Sequence, residues 1–308
     1  MKRAFTLLEL IIVIVIIGII AMMSFNAMMN IYSNYFQTRT VNELETQTEI
    51  ALEQISKRLE HRIKPSVIAR KPSGGFLPLN DSRVNLNSGY EILEFIPYAY
   101  EIFNDVPSAS NKAGRYSGYV DLANSSPATG LISPGSNFST EVIETIKDLT
   151  CKDDASGCVD FENKDGGVVA IFSDVYYDVQ NSFGYKGVSN LDIAKVGVKS
   201  IDGNTLEISG FANKQISEQY HLAYTANAIV PEQSQSQADK NNGVFDLNLY
   251  YDYRPWMGEK YKQNGEKATL AKNVTRFVFT EKNGVIVLKL CMRAKNSEIT
   301  SCKSKAVY

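Results

Sequence analysis

The feature that most constrains this chain lies at its start. From Leu10 to Met23 every residue is apolar, and the run continues to Met29 with only Ser24 and Asn26 interrupting it. A stretch of that length crosses a bilayer as a helix. A chain that begins this way must cover the segment with lipid or with other chains. Lys2 and Arg3 come just before it. Basic residues hold their end of a span in the cytoplasm, so everything beyond Met29 is expected on the far side.

An ordinary secretory signal is the first rival, with Ala21 and Ser24 as small residues near a cleavage point. The sequence beyond argues otherwise, because no helix breaker follows. Gly18 is the only glycine, and no proline occurs, before Pro65. After Met29 the pattern turns amphipathic: Leu44, Ala51, Ile55 and Leu59 fall at helical spacing, with Glu45, Glu49, Glu53, Lys57 and Arg58 between them. Glu53 and Lys57 are spaced as an i,i+4 pair. The expectation is one continuous helix from Phe5 to Ile63, about 90 Å long, with one half in lipid and the other against a globular head.

Glu9 stands out beside this run, since a carboxylate within an apolar span is costly. It has two ordinary explanations, a place at the membrane interface or a capping box with Thr6 that satisfies free N–H groups at the helix start. A functional role is the third.

Beyond Pro65 the chain reads as strands and loops. Tyr90–Phe103, Val168–Ser173, Ile193–Ile201, Thr205–Ile208, Tyr220–Tyr224 and Phe245–Tyr253 are expected strands. The clearest is Val274–Thr280, a turn at Lys282-Asn283-Gly284, then Val285–Met292. Residues 105–140 and 231–243 read as exposed polar loops. The predicted class is α+β, a long N-terminal helix laid on an antiparallel sheet. The division is 5–29 for the membrane half of the helix, 30–64 for its amphipathic half and 65–308 for the β-rich head.

Cys151, Cys158, Cys291 and Cys302 are an even set, which fits two disulfides in an oxidising compartment. Four cysteines allow three connectivities; Cys151–Cys158 with Cys291–Cys302 closes the shortest loops and is the expected one. Four reduced, buried thiols are the alternative. Net charge is −2, and nothing marks the chain as a nucleic-acid binder. There is no Gly-rich phosphate loop and no G-x-S-x-G elbow, and the two histidines, His61 and His221, lie on different predicted elements. No cofactor and no catalytic residue is expected. Asp148, Asp153, Asp154, Asp160, Glu162 and Asp165 crowd around the first cysteine pair. They read as a solvated acidic loop, with calcium binding as the alternative. Tyr98, Tyr100, Tyr176, Tyr177, Tyr250, Tyr251 and Tyr253 read as sheet packing, with a stacking surface for sugar or DNA as the alternative.

The run Arg3-Ala4-Phe5-Thr6-Leu7-Leu8-Glu9-Leu10, with the apolar stretch behind it, resembles the class III signal of type IV prepilins and type II secretion pseudopilins. The resemblance implies a prepilin peptidase cutting between Ala4 and Phe5, a leader of residues 1–4, N-methylation of Phe5, and retention of the apolar helix as the anchor. Ala4 departs from the family, which usually has glycine there; alanine is also small. For Glu9 the resemblance implies an assembly role: its carboxylate meets the cationic N-terminus of a neighbouring subunit, each relieving part of the other's burial cost. The implied partners are other pilins or pseudopilins, the peptidase, an inner-membrane assembly platform and membrane lipid. The implied location is the bacterial inner membrane and then a filament, with the N-terminus cytoplasmic and the head periplasmic.

In its later half, LNLYYDYRPW, LAKNVTRFVF and NGVIVLKLCM resemble in order the PilW-like minor pilins and J-type pseudopilins. That implies a subunit that primes or caps a filament rather than an enzyme. A membrane-anchored periplasmic binding protein with a borrowed leader is the alternative, and an anchored hydrolase is a third.

Overall fold

The structure, a computed structural model, describes residues 7–84, 89–103, 116–152, 156–189, 191–209, 215–233, 243–295 and 297–308. In chain order its elements are α1 (Leu7–Glu60), β1 (Ile68–Arg70), β2 (Phe76–Pro78), β3 (Ile92–Phe95), α2 (Tyr100–Phe103), β4 (Leu131–Ile132), α3 (Thr140–Thr150), β5 (Val169–Phe172), β6 (Ala194–Val198), β7 (Thr205–Ser209), β8 (Tyr220–Ala223), β9 (Ala226–Gln233), β10 (Phe245–Tyr253), α4 (Tyr261–Asn264), β11 (Glu266–Lys282), β12 (Val285–Arg293) and β13 (Thr300–Val307). This is the α+β, pilin-like layout: a long helix on a large antiparallel sheet.

The 54 residues of α1 form one unbroken helix, about 81 Å long. Its second half lies on β11, β12 and β13. These strands belong to an eight-stranded sheet of order β13-β12-β11-β10-β9-β3-β1-β2. The hairpin between β11 and β12 is tight because Asn283 and Gly284 both take positive φ, 54° and 79°. That geometry matches the twist of the flanking strands, and Lys282 pairs with Val285 across it.

Side-chain alternation divides the two faces of this sheet. Leu93, Phe95, Ile229, Leu247 and Leu249 point toward α1 and join Leu52, Ile55 and Leu59 in one core. Their neighbours Ile92, Ala228, Val230 and Tyr250 point the other way, onto Val169 and Ile171 of β5 and Ala223 of β8. These belong to a second sheet of order β4-β7-β6-β5-β8. The far face of that sheet, through Ala170, Phe172, Tyr220 and Leu222, packs with Ile146 of α3. The layers therefore run helix, large sheet, small sheet, short helix.

The small sheet is an insertion. β3 and β9 are antiparallel neighbours, with Leu93 opposite Ile229 and Phe95 opposite Asn227. The chain leaves the large sheet after Phe95 and returns at Ala226 beside its point of departure. Residues 96–225 between these points hold the whole second sheet. Trp256, fully buried, fastens the two layers by donating its indole N–H to the carbonyl of Gly167 at 2.9 Å.

Three expectations are corrected. Tyr90–Phe103 is not one strand: β3 ends at Phe95 and α2 follows, because Pro97 has no N–H to extend the ladder. Part of 105–140 lies outside the described residues. The rest is exposed only in part: residues 122–124 and 127–129 are exposed, but Tyr116, Val120, Leu131 and Phe138 are buried and α3 begins at Thr140. Within 231–243, Pro231, Glu232 and Gln233 continue β9, and residues 234–242 lie outside the described ones.

Both cysteine pairs are local disulfides, Cys151–Cys158 and Cys291–Cys302. The second bridges directly opposite residues of β12 and β13.

Candidate assembly interface

The two halves of α1 meet different surroundings. Through its first half every described residue is exposed, including Leu7, Ile14, Ile17, Met22 and Phe25. The most apolar window has a mean hydropathy of 2.9, and none of that window is buried. Each large apolar side chain left in water forgoes about 1.5–3 kcal/mol, so this segment requires lipid or other helices around it. Glu9 sits in the first turn, at the end of this bare surface. Ala4, Phe5 and Thr6 lie outside the described residues, so neither the cleavage point nor a Thr6–Glu9 box has a described geometry.

The second half is one-sided. Leu44, Thr48, Ala51, Leu52, Ile55, Ser56 and Leu59 are buried and face the sheet. The expected stripe of Leu44, Ala51, Ile55 and Leu59 is thus the seam. Polar contacts fix its register. Lys303 Nζ donates to Glu49 at 2.7 Å, and Lys305 Nζ donates to Glu53. Residues four apart on a helix rise about 6 Å and residues two apart on a strand about 6.7 Å, so two successive pairs align. The ammonium of Lys303 holds the Glu49 carboxyl below its ordinary range, and that of Lys305 does the same for Glu53. The Glu53–Lys57 pair read from spacing is superseded: Glu53 turns to the strand because Lys305 offers a direct hydrogen bond, and Lys57 acts on it only as a nearby charge.

Arg62 closes the far end of the seam. Its guanidinium donates to the Leu59 carbonyl at 2.8 Å, the Tyr308 carbonyl at 3.2 Å and the Gly284 carbonyl at 3.0 Å. One buried side chain thus joins the end of the helix, the β11–β12 turn and the end of β13. Sequence reading passed over Arg62, Lys303 and Lys305. The alternating lysines in Thr300–Val307 were the available signal for the last two.

Other candidate residues fall elsewhere. His61 Nδ1 lies 3.1 Å from the Tyr98 hydroxyl, and the His221 ring packs on Tyr98 with centroids 5.2 Å apart. Both histidines therefore meet at one tyrosine, and burial pushes His221 down. Asp153 and Asp154 lie outside the described residues. Among the described residues, no group of three His, Cys, Asp or Glu side chains is placed to hold a metal ion. Asp160 instead accepts the backbone N–H of Glu162 at 3.1 Å. The tyrosines scatter: Tyr177, Tyr250 and Tyr253 enter the core, Tyr176 stands in solvent, and Tyr100 and Tyr251 are half-exposed along one groove.

The first 25 residues match the family model described as the prokaryotic N-terminal methylation motif. No curated protein and no solved structure matches the chain. The matched residues reach from Met1 into the bare half of α1. This prepilin motif implies processing by a prepilin peptidase and assembly with other pilins. Together with the pilin-like fold, it supports a type IV pilin-like protein carrying a class III signal and anchored by its N-terminal helix.

Proposed function

We propose that this chain is a minor pilin or pseudopilin, a non-catalytic structural subunit that primes or caps a type IV pilus or a type II secretion pseudopilus. One observation carries the reading: a methylation motif opens a helix whose first half is left uncovered by the described residues. In this account the peptidase cuts between Ala4 and Phe5 and methylates Phe5. The helix waits in the inner membrane with the head in the periplasm, and then exchanges lipid for the helices of neighbouring pilins. Glu9 faces the cationic terminus of the next subunit, a pairing that offsets part of the cost of burying each charge. The resemblance of the later strands to PilW-like and J-type subunits supports a minor rather than a bulk role. So does the bulk of the insertion at 96–225, which a densely repeating shaft would have to accommodate in every copy.

The test is the intact mass of the N-terminus in protein taken from its own membranes. A terminus at Phe5 carrying one methyl group is expected. A terminus at Met1, or a cut near Ala21, would overturn the proposal. Gene deletion then separates the two machines: loss of surface pili marks the first, and exoproteins held in the periplasm mark the second.

A further inference from the structure

The insertion and the helix-bearing scaffold meet along a groove of about 770 Å³. Ligand sites favour such junctions between packed units. One wall is the end of α1 with the residue that follows it, His61, and the floor includes Tyr251 and Thr269 of the large sheet. The opposite wall comes from the insertion, with Tyr100, Glu101, Leu149 and Tyr224. Neither unit forms this surface alone.

Its chemistry narrows the ligand. Tyr100 and Tyr251 are 37 % and 36 % exposed, so each offers part of a ring to the groove. Tyr100 is backed by His61, stacked at 4.1 Å with 17° between the planes, which holds the ring as a fixed platform. The charged side chains are mixed: Glu53 is held by Lys305 and Asp252 by Arg254, which leaves Glu101 against Lys57 and Arg58. Charges of both signs so close together match neither a polyanion such as a nucleic acid nor a basic peptide. A purely apolar ligand would strip water from the exposed Gln54 and Lys57 without replacing their hydrogen bonds, which is costly.

We propose that this groove binds a neutral oligosaccharide. A sugar ring presents a C–H face that packs on an aromatic ring, here Tyr100 or Tyr251. Its rim of hydroxyls both donates and accepts, and so pairs with the amide of Gln54 and the carboxylate of Glu101 together. Every lining residue belongs to one chain, so the groove forms without a neighbouring subunit.

The test uses the full chain in a detergent without a sugar headgroup, titrated with neutral hexasaccharides of glucose and of N-acetylglucosamine. Saturable binding of at least one is expected. Tyr100→Ala and Tyr251→Ala should each weaken it by about tenfold, a loss of ordinary size for one ring contact. Tyr100→Trp and Tyr251→Phe should retain it, which separates ring stacking from a general loss of fold, and the melting temperatures of all four variants are compared with the parent. No saturable binding of either series would overturn the proposal. So would binding that both alanine variants leave unchanged, or a groove that takes only a polyanion or a basic peptide.

Discussion

Both halves of α1 are helical, yet they are stabilised in opposite ways. In the first half apolar residues run all round the helix and nothing among the described residues covers them; in the second they form a stripe, and the sheet covers only that stripe. A helix that is apolar on every side expects a surrounding that is the same on every side, which describes lipid or a bundle of like helices. A striped helix expects one flat partner. The second half therefore belongs to the stability of the head, and the first half to whatever environment the head is delivered to.

The sharpest way to break that comparison is to cut the same side chain in each half. Ile55 is fully buried and Ile14 is 61 % exposed. Ile55→Ala should cost the head about 2–5 kcal/mol, through lost burial and a cavity under the helix. Ile14→Ala should change the head by less than about 0.5 kcal/mol. Denaturant unfolding of the full chain in detergent, followed at the buried Trp256, reads both. Equal losses would show that the bare half also supports the head.

Arg62 gives the next largest effect. Arg62→Met keeps most of the apolar stem but removes the donor from three carbonyls, those of Leu59, Gly284 and Tyr308. Losing these hydrogen bonds should cost about 1–2 kcal/mol, a modest figure because the Leu59 carbonyl still accepts the Arg62 backbone N–H at 3.1 Å and Tyr308 is exposed. Hydrogen exchange should quicken at the end of α1 and around the β11–β12 turn together. Quickening at only one of them would mean that Arg62 does not couple the two.

The helix, its stripe and the Asn283-Gly284 hairpin were legible because each rests on local spacing or turn chemistry. The strand Phe245–Tyr253 was legible for the same reason, since Phe245, Leu247 and Leu249 alternate with the polar Asp246 and Asn248. The insertion was not, because the pairing that reveals it joins β3 to β9 across more than a hundred residues. α3 hid behind a run rich in Ser, Gly and Pro, although Val142, Ile143 and Ile146 carry a helical face. β13 was missed because its α1-facing side carries Lys303 and Lys305, and only Val307 of the strand is a buried apolar residue. At the candidate interface the motif was visible and the clamp was not. Lys303 and Lys305 gain meaning only when β13 lies beside α1.

Those two lysines supply the smallest and most conditional effect. Glu49 and Glu53 are exposed carboxylates held below their ordinary value of 4.5 by Lys303 and Lys305. A depressed carboxyl stabilises the fold above its ordinary value, and the gain disappears as pH falls through the depressed one. Lys303→Gln with Lys305→Gln should therefore melt below the parent at neutral pH and low salt. The gap should begin to close as the solution is acidified below the ordinary carboxyl value of 4.5, and should shrink at about 0.5 M salt, where exposed charges are screened. It should also remain well inside the loss caused by Ile55→Ala, because exposed pairs contribute little and buried side chains much. A double variant as damaging as Ile55→Ala, and equally damaging in high salt, would reverse the ranking. The second half of α1 would then be held by its charges, and its apolar stripe would differ from the bare half only in being covered.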